Sequence, residues 1–291
     1  MSLSPHASAR VKIIIAAMLF STGGAAIKAA SLTGWQIAGF RSGIAALAVL
    51  LLAPEARRGW TWRVVLVGVA YAATLTLFVI ANKLTTSANT IFLQSTAPLY
   101  MLVLSPLVLH ERVVAKDLIV LAAVGAGLVL FFIGHDAPVA TAPDPVRGNV
   151  LAALSGFTWA LTVCGLRWMG SDPRGGSAVA AVVSGNLTAC LIALPFALPV
   201  VAAQTVDWLV VIYLGVFQIG VAYILVTVAL RQLTALEASL LLLVEPALNP
   251  LFAWLVHREI PSAWAIAGGT IILGATTVRS VLETRPVGQV T

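Results

Sequence analysis

The chain repeats part of itself at a fixed offset of 148 positions. In this register Pro98 aligns with Pro246, and Glu111 aligns with Glu259. In both copies the proline lies in an apolar segment and precedes the acidic residue by thirteen positions. Self-similarity at one offset indicates an internal repeat. The chain is therefore built from two related halves, and its fold has to contain the same unit twice.

Few residues carry charge. Of 291 residues, 60% are hydrophobic and 10% are charged, whereas about 25% of the residues in a soluble domain are charged. The apolar residues form long runs, and a helix needs about 20 apolar residues to cross about 30 Å of hydrocarbon. Ten such segments fill the chain and leave no room for a soluble domain. The sequence therefore predicts an all-α polytopic membrane protein with ten transmembrane helices.

The ten predicted segments, called spans 1 to 10 in chain order, cover residues 11–30, 36–54, 63–82, 86–109, 115–134, 148–169, 177–200, 207–230, 235–256 and 261–281. The longest break, residues 134–147, separates span 5 from span 6. We therefore predict a first half over residues 1–140 and a second half over residues 141–291. No removable signal peptide can be separated from span 1.

Lysine and arginine are distributed unevenly between the two sets of loops. With the N-terminus placed inside, the inner segments contain twelve of these residues and the outer segments contain four. This bias predicts that both termini are cytoplasmic, and it explains the basic net charge without a nucleic-acid partner. Because each half has an odd number of spans, the two halves cross the membrane in opposite senses. Such inverted repeats are typical of secondary transporters, whose site lies near the midplane between the repeats.

Motifs of enzymes and metal sites are missing. The four histidines are scattered over a tail and loops, and the sequence contains no H-E-x-x-H, Walker or G-x-S-x-G motif. Cys164 and Cys190 lie in apolar runs and read as small packing residues. We therefore expect neither catalytic activity nor a metal or other cofactor.

Several motifs recur at matching places in the two halves. They are the aromatic–small pairs Phe20-Ser21 and Trp159-Ala160, the cations Lys28 and Arg167 that follow them, Arg41 in span 2, and the pairs Pro98…Glu111 and Pro246…Glu259. On these residues the chain resembles the EamA-type exporters of the drug/metabolite transporter (DMT) superfamily, and within them it is most similar to bacterial inner-membrane exporters of aromatic amino acids. The usual Trp-Gly of the first half is Phe20-Ser21 here. The resemblance implies ten helices in two inverted five-helix repeats, transport without ATP and export of small metabolites.

The resemblance also implies that the last helix of each half lies away from the pathway and supports a homodimer. The glycines of spans 5 and 10 are predicted to form the surfaces through which these helices pack. They are Gly125, Gly127, Gly134, Gly268, Gly269 and Gly274.

Two charged residues lie within predicted spans. Glu245 is in the middle of span 9, where an unpartnered carboxylate costs several kcal/mol. It is either an acid that changes protonation or meets a substrate ammonium, or a structural acid beside Pro246, and both interpretations stay open. Arg41 lies between Gly39 and Gly43, a spacing that lets helices approach closely. Two interpretations of Arg41 are a structural anchor whose side chain extends outward and a clamp for a substrate carboxylate. We favour the structural anchor.

Aromatic and polar residues within the spans are typical of a small-molecule cavity. The candidate substrate-binding residues are Phe20, Tyr71, Phe78, Gln94, Tyr100, Trp159, Tyr223, Glu245 and Asn249. Pro98 and Pro246 are candidate hinges, since proline kinks a helix. The pathway is expected between the halves, lined by spans 1, 3, 4, 6, 8 and 9.

We therefore predict a secondary transporter of the bacterial inner membrane that exports amino acids, including aromatic ones, by alternating access. The alternatives are a carrier of nucleosides, purines, polyamines or drugs and, in another class, a membrane scaffold or enzyme. A single acid in the middle of a span counts against polyamines and leaves proton coupling undecided.

Overall fold

The computed structural model describes residues 4–109, 115–133, 138–172, 174–230, 232–233, 238 and 241–283, without the side chains of 115–117 and 279–283. Glu111 and Gly134 lie outside the described residues. Span 1 comprises Pro5–Ser21 and Gly23–Ala29, span 2 Gly34–Leu52, span 3 Trp62–Leu84, span 4 Ser87–Gln94 and Ala97–Leu109, and span 5 Ala115–Ile133. Span 6 comprises Pro145–Gly170, span 7 Ala178–Ala197, span 8 Thr205–Tyr213, Leu214–Val221 and Ala222–Ala229, span 9 Val244–His257, and span 10 Ala263–Glu283.

The predicted all-α architecture is confirmed. Among the described residues, seven of these stretches are long and apolar enough to cross a membrane, and Leu118–Ile133 and Ala263–Val278 are shorter apolar helices. Span 9 is a short helix of 14 residues. The ten spans form two inverted repeats of five helices.

Side-chain caps fix where many helices begin. Thr33 and Gln36 form a reciprocal capping box at the start of span 2, which satisfies backbone N–H groups that have no partner within the helix. Single-residue caps from Thr, Ser or Asp stand at other helix starts, among them Ser4, Thr61, Thr86, Asp144 and Ser177.

Within the described ranges, four spans lose regular α-helical geometry along their length. Span 1 is interrupted at Thr22, span 4 at Ser95-Thr96, and span 9 begins its main helix after Leu243. In span 8, residues Leu214–Val221 form a π-helix, a geometry that often marks functional sites. The interruptions of spans 4 and 9 are separated by the same 148 positions as the sequence repeat.

The two prolines at matching positions of the repeat explain the interruptions of spans 4 and 9. Pro98 is the second residue of the helix Ala97–Leu109, and Pro246 is the third residue of Val244–His257. Proline is tolerated in the first turn, where its missing N–H has no helical partner. We predicted kinks within continuous helices; instead, a new helix starts just before each proline. Whether these points act as hinges stays a prediction.

The most extensive helix contacts join the two halves. Span 3 packs on spans 6 and 7, span 2 on spans 7 and 8, span 1 on spans 8 and 9, and span 5 on span 10. Spans 5 and 10 approach closely at Gly127 and Gly268, where a Cβ on either residue would lie 2.9 Å or less from the backbone oxygen of the other. The predicted glycine packing face is thus present at Gly127, Gly268 and Gly269, whereas a Cβ at Gly125 or Gly274 would meet nothing within 4 Å.

Candidate functional site

A cavity of about 400 Å³ lies between the two halves. Its volume falls within the range of about 300–1,000 Å³ that is usual for small-molecule sites. Each interrupted span contributes lining residues next to its irregular point, such as Phe20, Ser95, Gln218 and Leu243. In membrane transporters, discontinuous helices surround the substrate site because their ends expose backbone groups there. The cavity is therefore the candidate functional site.

Most of the residues predicted to bind substrate line this cavity. Seven of the nine do so: Phe20, Tyr71, Phe78, Gln94, Trp159, Tyr223 and Glu245. Pro98 and Pro246 line it as well.

Tyr100 and Asn249 do not line the cavity. The Tyr100 ring packs edge-on against Phe157, with the ring centroids 5.5 Å apart. Asn249 is fully buried and lies one helical turn after Glu245, where a Cβ on Gly24 would be 3.0 Å from its Oδ1. Position along a span therefore does not determine whether a side chain reaches the cavity or packs against a neighbouring helix.

Arg41 lines the cavity, and the expectation that it extends outward is wrong. Its side chain is only 1% exposed, and Nη2 donates a hydrogen bond to the Leu75 carbonyl at 3.1 Å. The flanking glycines pack on span 7, since a Cβ on Gly39 would lie 3.0 Å from Ala193 and one on Gly43 would lie 3.0 Å from Cys190 Sγ. An arginine within an apolar span is itself a signal for a functional site.

Spans 2 and 10 therefore contribute to a cavity that the sequence assigned to six other spans. Thr276 of span 10 lines it together with Arg41 of span 2. Gln218 in the π-helix also lines the cavity, as expected for a polar residue within a span. It packs against Gly23, where a Cβ would lie 2.8 Å from Gln218 Nε2. A larger residue directly after the interruption at Thr22 would therefore require Gln218 to move.

Aromatic residues from both halves form a continuous cluster along the cavity. Phe20 packs edge-on against Tyr223, with the centroids 5.3 Å apart. The ring centroid of Tyr71 lies 5.7 Å from that of Tyr223 and 6.2 Å from that of Trp159. Aromatic rings give a large apolar contact area and favour such edge-on packing. The walls of the cavity thus suit a solute with a flat or bulky apolar part.

The polar groups of the cavity are few and incompletely paired. Within the described part of the chain, Arg41 Nε and Gln218 Oε1 are buried without a hydrogen-bond partner. Gln94 is different, because its Nε2 donates to Ser155 Oγ at 2.7 Å. Buried polar groups are normally paired with protein or water, so Arg41 Nε and Gln218 Oε1 are available to a solute or to water.

The family model of the EamA-like transporter family matches residues 8–133 and again residues 146–280. The chain belongs to the EamA-like transporter family. A solved structure titled "Crystal structure of protein" is 19% identical to the chain, with a TM-score of 0.63, and the match covers 97% of this chain and 99% of that chain. This likeness concerns the fold alone. No curated protein matches the chain. The protein is thus a multi-pass membrane transporter of small solutes.

One end of this EamA-like transporter is closed by a buried ion pair. Lys28 Nζ lies 3.1 Å from Glu259 Oε1, and both side chains are less than 5% exposed. Lys28 also donates to the carbonyl groups of Thr85 and Thr141, and Glu259 Oε2 accepts from the Ser87 backbone N–H at 2.8 Å. The pair connects span 1 with the loop after span 9. We call the end of the molecule around Lys28, Thr85 and Glu259 the Lys28 end.

Further hydrogen bonds tie the two halves together at the Lys28 end. Thr85 Oγ1 donates to Asn149 Oδ1 at 2.7 Å, and Asn89 Nδ2 approaches the same oxygen at 3.1 Å. Asp207 at the start of span 8 accepts from the backbone N–H and the hydroxyl of Ser31, both at 2.6 Å. The hydrogen bonds to Asn149 are buried and those to Asp207 are partly buried, so the described helix ends are packed together at the Lys28 end.

The cavity extends towards the opposite end of the molecule. Span 8 runs from Asp207 at the Lys28 end to Ala229 at the other end, and the lining residue Val226 lies three positions before Ala229. Thr276, late in span 10, lines the same part. The structure is therefore closed at the Lys28 end, with the cavity directed away from it.

Loops of the two halves also meet at this opposite end. Arg63 Nη1 lies 2.8 Å from Asp172 Oδ2, and the guanidinium carbon is 4.5 Å from the Trp168 ring centroid. The Arg174 backbone N–H donates to Asp172 at 2.8 Å. This hydrogen bond and the nearby Arg63 lower the pKa of Asp172. Among the described residues, no group of three or more metal-binding side chains occurs.

Proposed function

We propose that this transporter exports amino acids with large or aromatic side chains across the bacterial inner membrane by alternating access. The observation that supports it most directly is the composition of the cavity. Phe20 and Tyr71 of the first half face Trp159 and Tyr223 of the second half around a volume of about 400 Å³. Apolar walls with a few polar anchors fit a solute that has both a bulky apolar part and a polar head.

Alternating access is supported by the inverted repeat. The two halves have opposite orientations in the membrane. If each half adopted the conformation of the other, the Lys28 end would open and the opposite end would close. The interruptions at Ser95-Thr96 and Leu243 lie at equivalent positions of the two halves and border the cavity. Backbone without regular hydrogen bonding deforms more easily than intact helix, so these points suit the required movement.

The proposed orientation follows from the loop charges. Twelve lysines and arginines on one side against four on the other favour an orientation with both termini in the cytoplasm. The Lys28 end then faces outward, and the cavity is directed towards the cytoplasm, the side from which an exporter loads. A homodimer remains a further proposal that rests on the family resemblance.

Counterflow in proteoliposomes tests the proposed function. Vesicles containing the full-length protein are preloaded with unlabelled phenylalanine, and radiolabelled phenylalanine is added outside. We expect label to accumulate above the level of protein-free vesicles and to be displaced by external tryptophan and leucine. If accumulation increases with a pH gradient and is lost in Glu245→Gln, transport is coupled to protons and Glu245 is the coupling site. Absence of counterflow with any large amino acid would refute the substrate assignment.

Nucleosides and purines are the second candidate class, because the same aromatic walls can stack a base. The assay distinguishes the two classes when adenosine and adenine are used as preload and competitor. Counterflow of adenosine without counterflow of phenylalanine would favour this alternative. Absence of counterflow with any solute would favour a non-transporting scaffold.

A further inference from the structure

Two charged side chains, Arg41 and Glu245, are the only ones among the described residues that line the cavity. They come from different halves, since Arg41 lies in span 2 and Glu245 in span 9. No ion pair within 4.0 Å joins them or links either one to another described residue. The cavity thus contains one basic and one acidic side chain, and the two form no ion pair with each other.

Arg41 is built to receive an anion. Its side chain is 1% exposed, and one of its nitrogens is fixed by the Leu75 carbonyl at 3.1 Å. The Nε–H has no partner within the described part of the chain. Guanidinium groups bind carboxylates through pairs of N–H donors in a fixed plane. The amide oxygen of Gln218 is also unpaired and borders the same cavity.

Glu245 is placed where an acidic side chain is favoured. It lies in the first turn of the helix Val244–His257, where the positive end of the helix dipole stabilises negative charge. This placement makes the residue a partner for a cation in the cavity. Its equivalent in the first half, 148 positions earlier, is Ala97, so the acid is specific to one side of the cavity.

We propose that Arg41 and Glu245 together recognise the zwitterionic head of an amino acid, with the carboxylate at Arg41 and the ammonium group at Glu245. This inference rests on the proposed function and deepens it. The two charges of the cavity sum to zero, so a solute with a net charge would leave one of them buried and unpaired, which is unfavourable. The aromatic cluster then accommodates the side chain, and specificity for the head group is separate from specificity for the side chain.

Head-group analogues of phenylalanine test this recognition in the wild-type protein. Phenylalaninamide keeps the ammonium group and lacks the carboxylate, whereas 3-phenylpropionate keeps the carboxylate and lacks the ammonium group. In initial-rate counterflow of labelled phenylalanine, we expect each analogue to compete on the order of tenfold more weakly than phenylalanine, since each loses one charge-assisted contact. If either analogue competes as well as phenylalanine, the proposed recognition is wrong.

Two variants assign the two contacts to the two residues. In Arg41→Gln, phenylalaninamide should compete as well as phenylalanine does, while discrimination against 3-phenylpropionate remains. In Glu245→Gln, the opposite pattern should appear. Arg57→Gln is the matched control, because Arg57 is exposed and its Nε donates to the Leu50 carbonyl at 2.8 Å. It should keep the wild-type order of competitors.

The outcomes separate this inference from the proposed function. If wild-type vesicles transport phenylalanine but Arg41→Gln still rejects phenylalaninamide as strongly as wild type, the inference fails and the proposed function stands. If phenylalanine is not transported at all, the proposed function fails and this inference fails with it. Gel filtration of each purified variant shows whether it is folded. Where a variant is not folded, the wild-type competition series alone decides.

Discussion

Lys28 of span 1 and Glu259 in the loop after span 9 form a buried ion pair, with Nζ and Oε1 3.1 Å apart. The contact joins the first half to the second half at the closed end of the transporter. A second contact supports it, because the Glu259 carboxylate also accepts from the Ser87 N–H at the start of span 4. Three separate chain segments therefore depend on one carboxylate.

We expect Lys28→Met and Glu259→Gln each to lower thermal stability strongly. Removal of one partner from a buried ion pair leaves the other charge uncompensated and typically costs about 3–5 kcal/mol. The double variant should be less destabilised than the sum of the single variants, which thermal unfolding of the purified proteins in detergent would measure. Lys83→Met is the control, because Lys83 Nζ donates to the Ala30 carbonyl at 2.6 Å. In the double variant Lys83→Met/Glu259→Gln, the two losses of stability should add. If the losses in Lys28→Met/Glu259→Gln add in the same way, the proposed pairing of Lys28 with Glu259 is wrong.

Two glycines of span 5 give a matched test of the contact with span 10. A Cβ at Gly127 would lie 2.9 Å from the Gly268 carbonyl oxygen, whereas a Cβ at Gly125 would meet nothing within 4 Å. Gly127→Ala should therefore lower the unfolding temperature, because a backbone oxygen cannot move aside without separating the helices. Gly125→Ala should leave it unchanged or raise it, since alanine favours helix by about 1 kcal/mol over glycine. Equal effects of the two substitutions would exclude this helix contact.

The sequence predicted the number and order of spans because those depend on length and hydropathy alone. It also predicted equivalent irregular points in spans 4 and 9, since Pro98 and Pro246 mark them. The side of each helix that faces the cavity was harder to predict. A helix that is apolar all round has the same pattern whether it faces lipid or protein.

Arg41 and Asn249 show where this limit matters. Arg41 was expected to extend away from the core, yet it is buried at the cavity. Asn249 was expected in the cavity, yet its neighbours are Gly24 and Ser87. In both cases the residue's polarity correctly indicated an interior position, but its neighbours come from other spans and depend on tertiary packing.

The contacts of Asp172 with the Arg174 backbone N–H and with Arg63 should make stability depend on pH in the acidic range. Both lower the pKa of Asp172 in the folded protein, so they stabilise the fold at a pH above the ordinary aspartate pKa of about 4. The stabilisation is lost as pH falls through the lower, folded-state pKa. Asp172→Asn should remove this part of the acid sensitivity, which unfolding temperatures from about pH 6 to pH 3 would show. The effect should be small and weaker in high salt, since the pair is partly exposed. An unchanged pH profile would contradict it.

Trp159 should determine preference for aromatic side chains. Its ring lies 6.2 Å from that of Tyr71 in the cluster that crosses between the halves, and it lines the cavity. In Trp159→Leu, competition by phenylalanine should weaken about two- to tenfold relative to competition by leucine, because an aromatic pair contributes about 0.5–1.5 kcal/mol beyond its buried area. Trp208→Leu is the matched control, because Trp208 packs against Phe40 and is 40% exposed. Counterflow with both competitors measures the ratio directly. An equal change in the two variants would mean that the effect comes from the fold, whereas a change confined to Trp159 would place the side-chain pocket at this cluster.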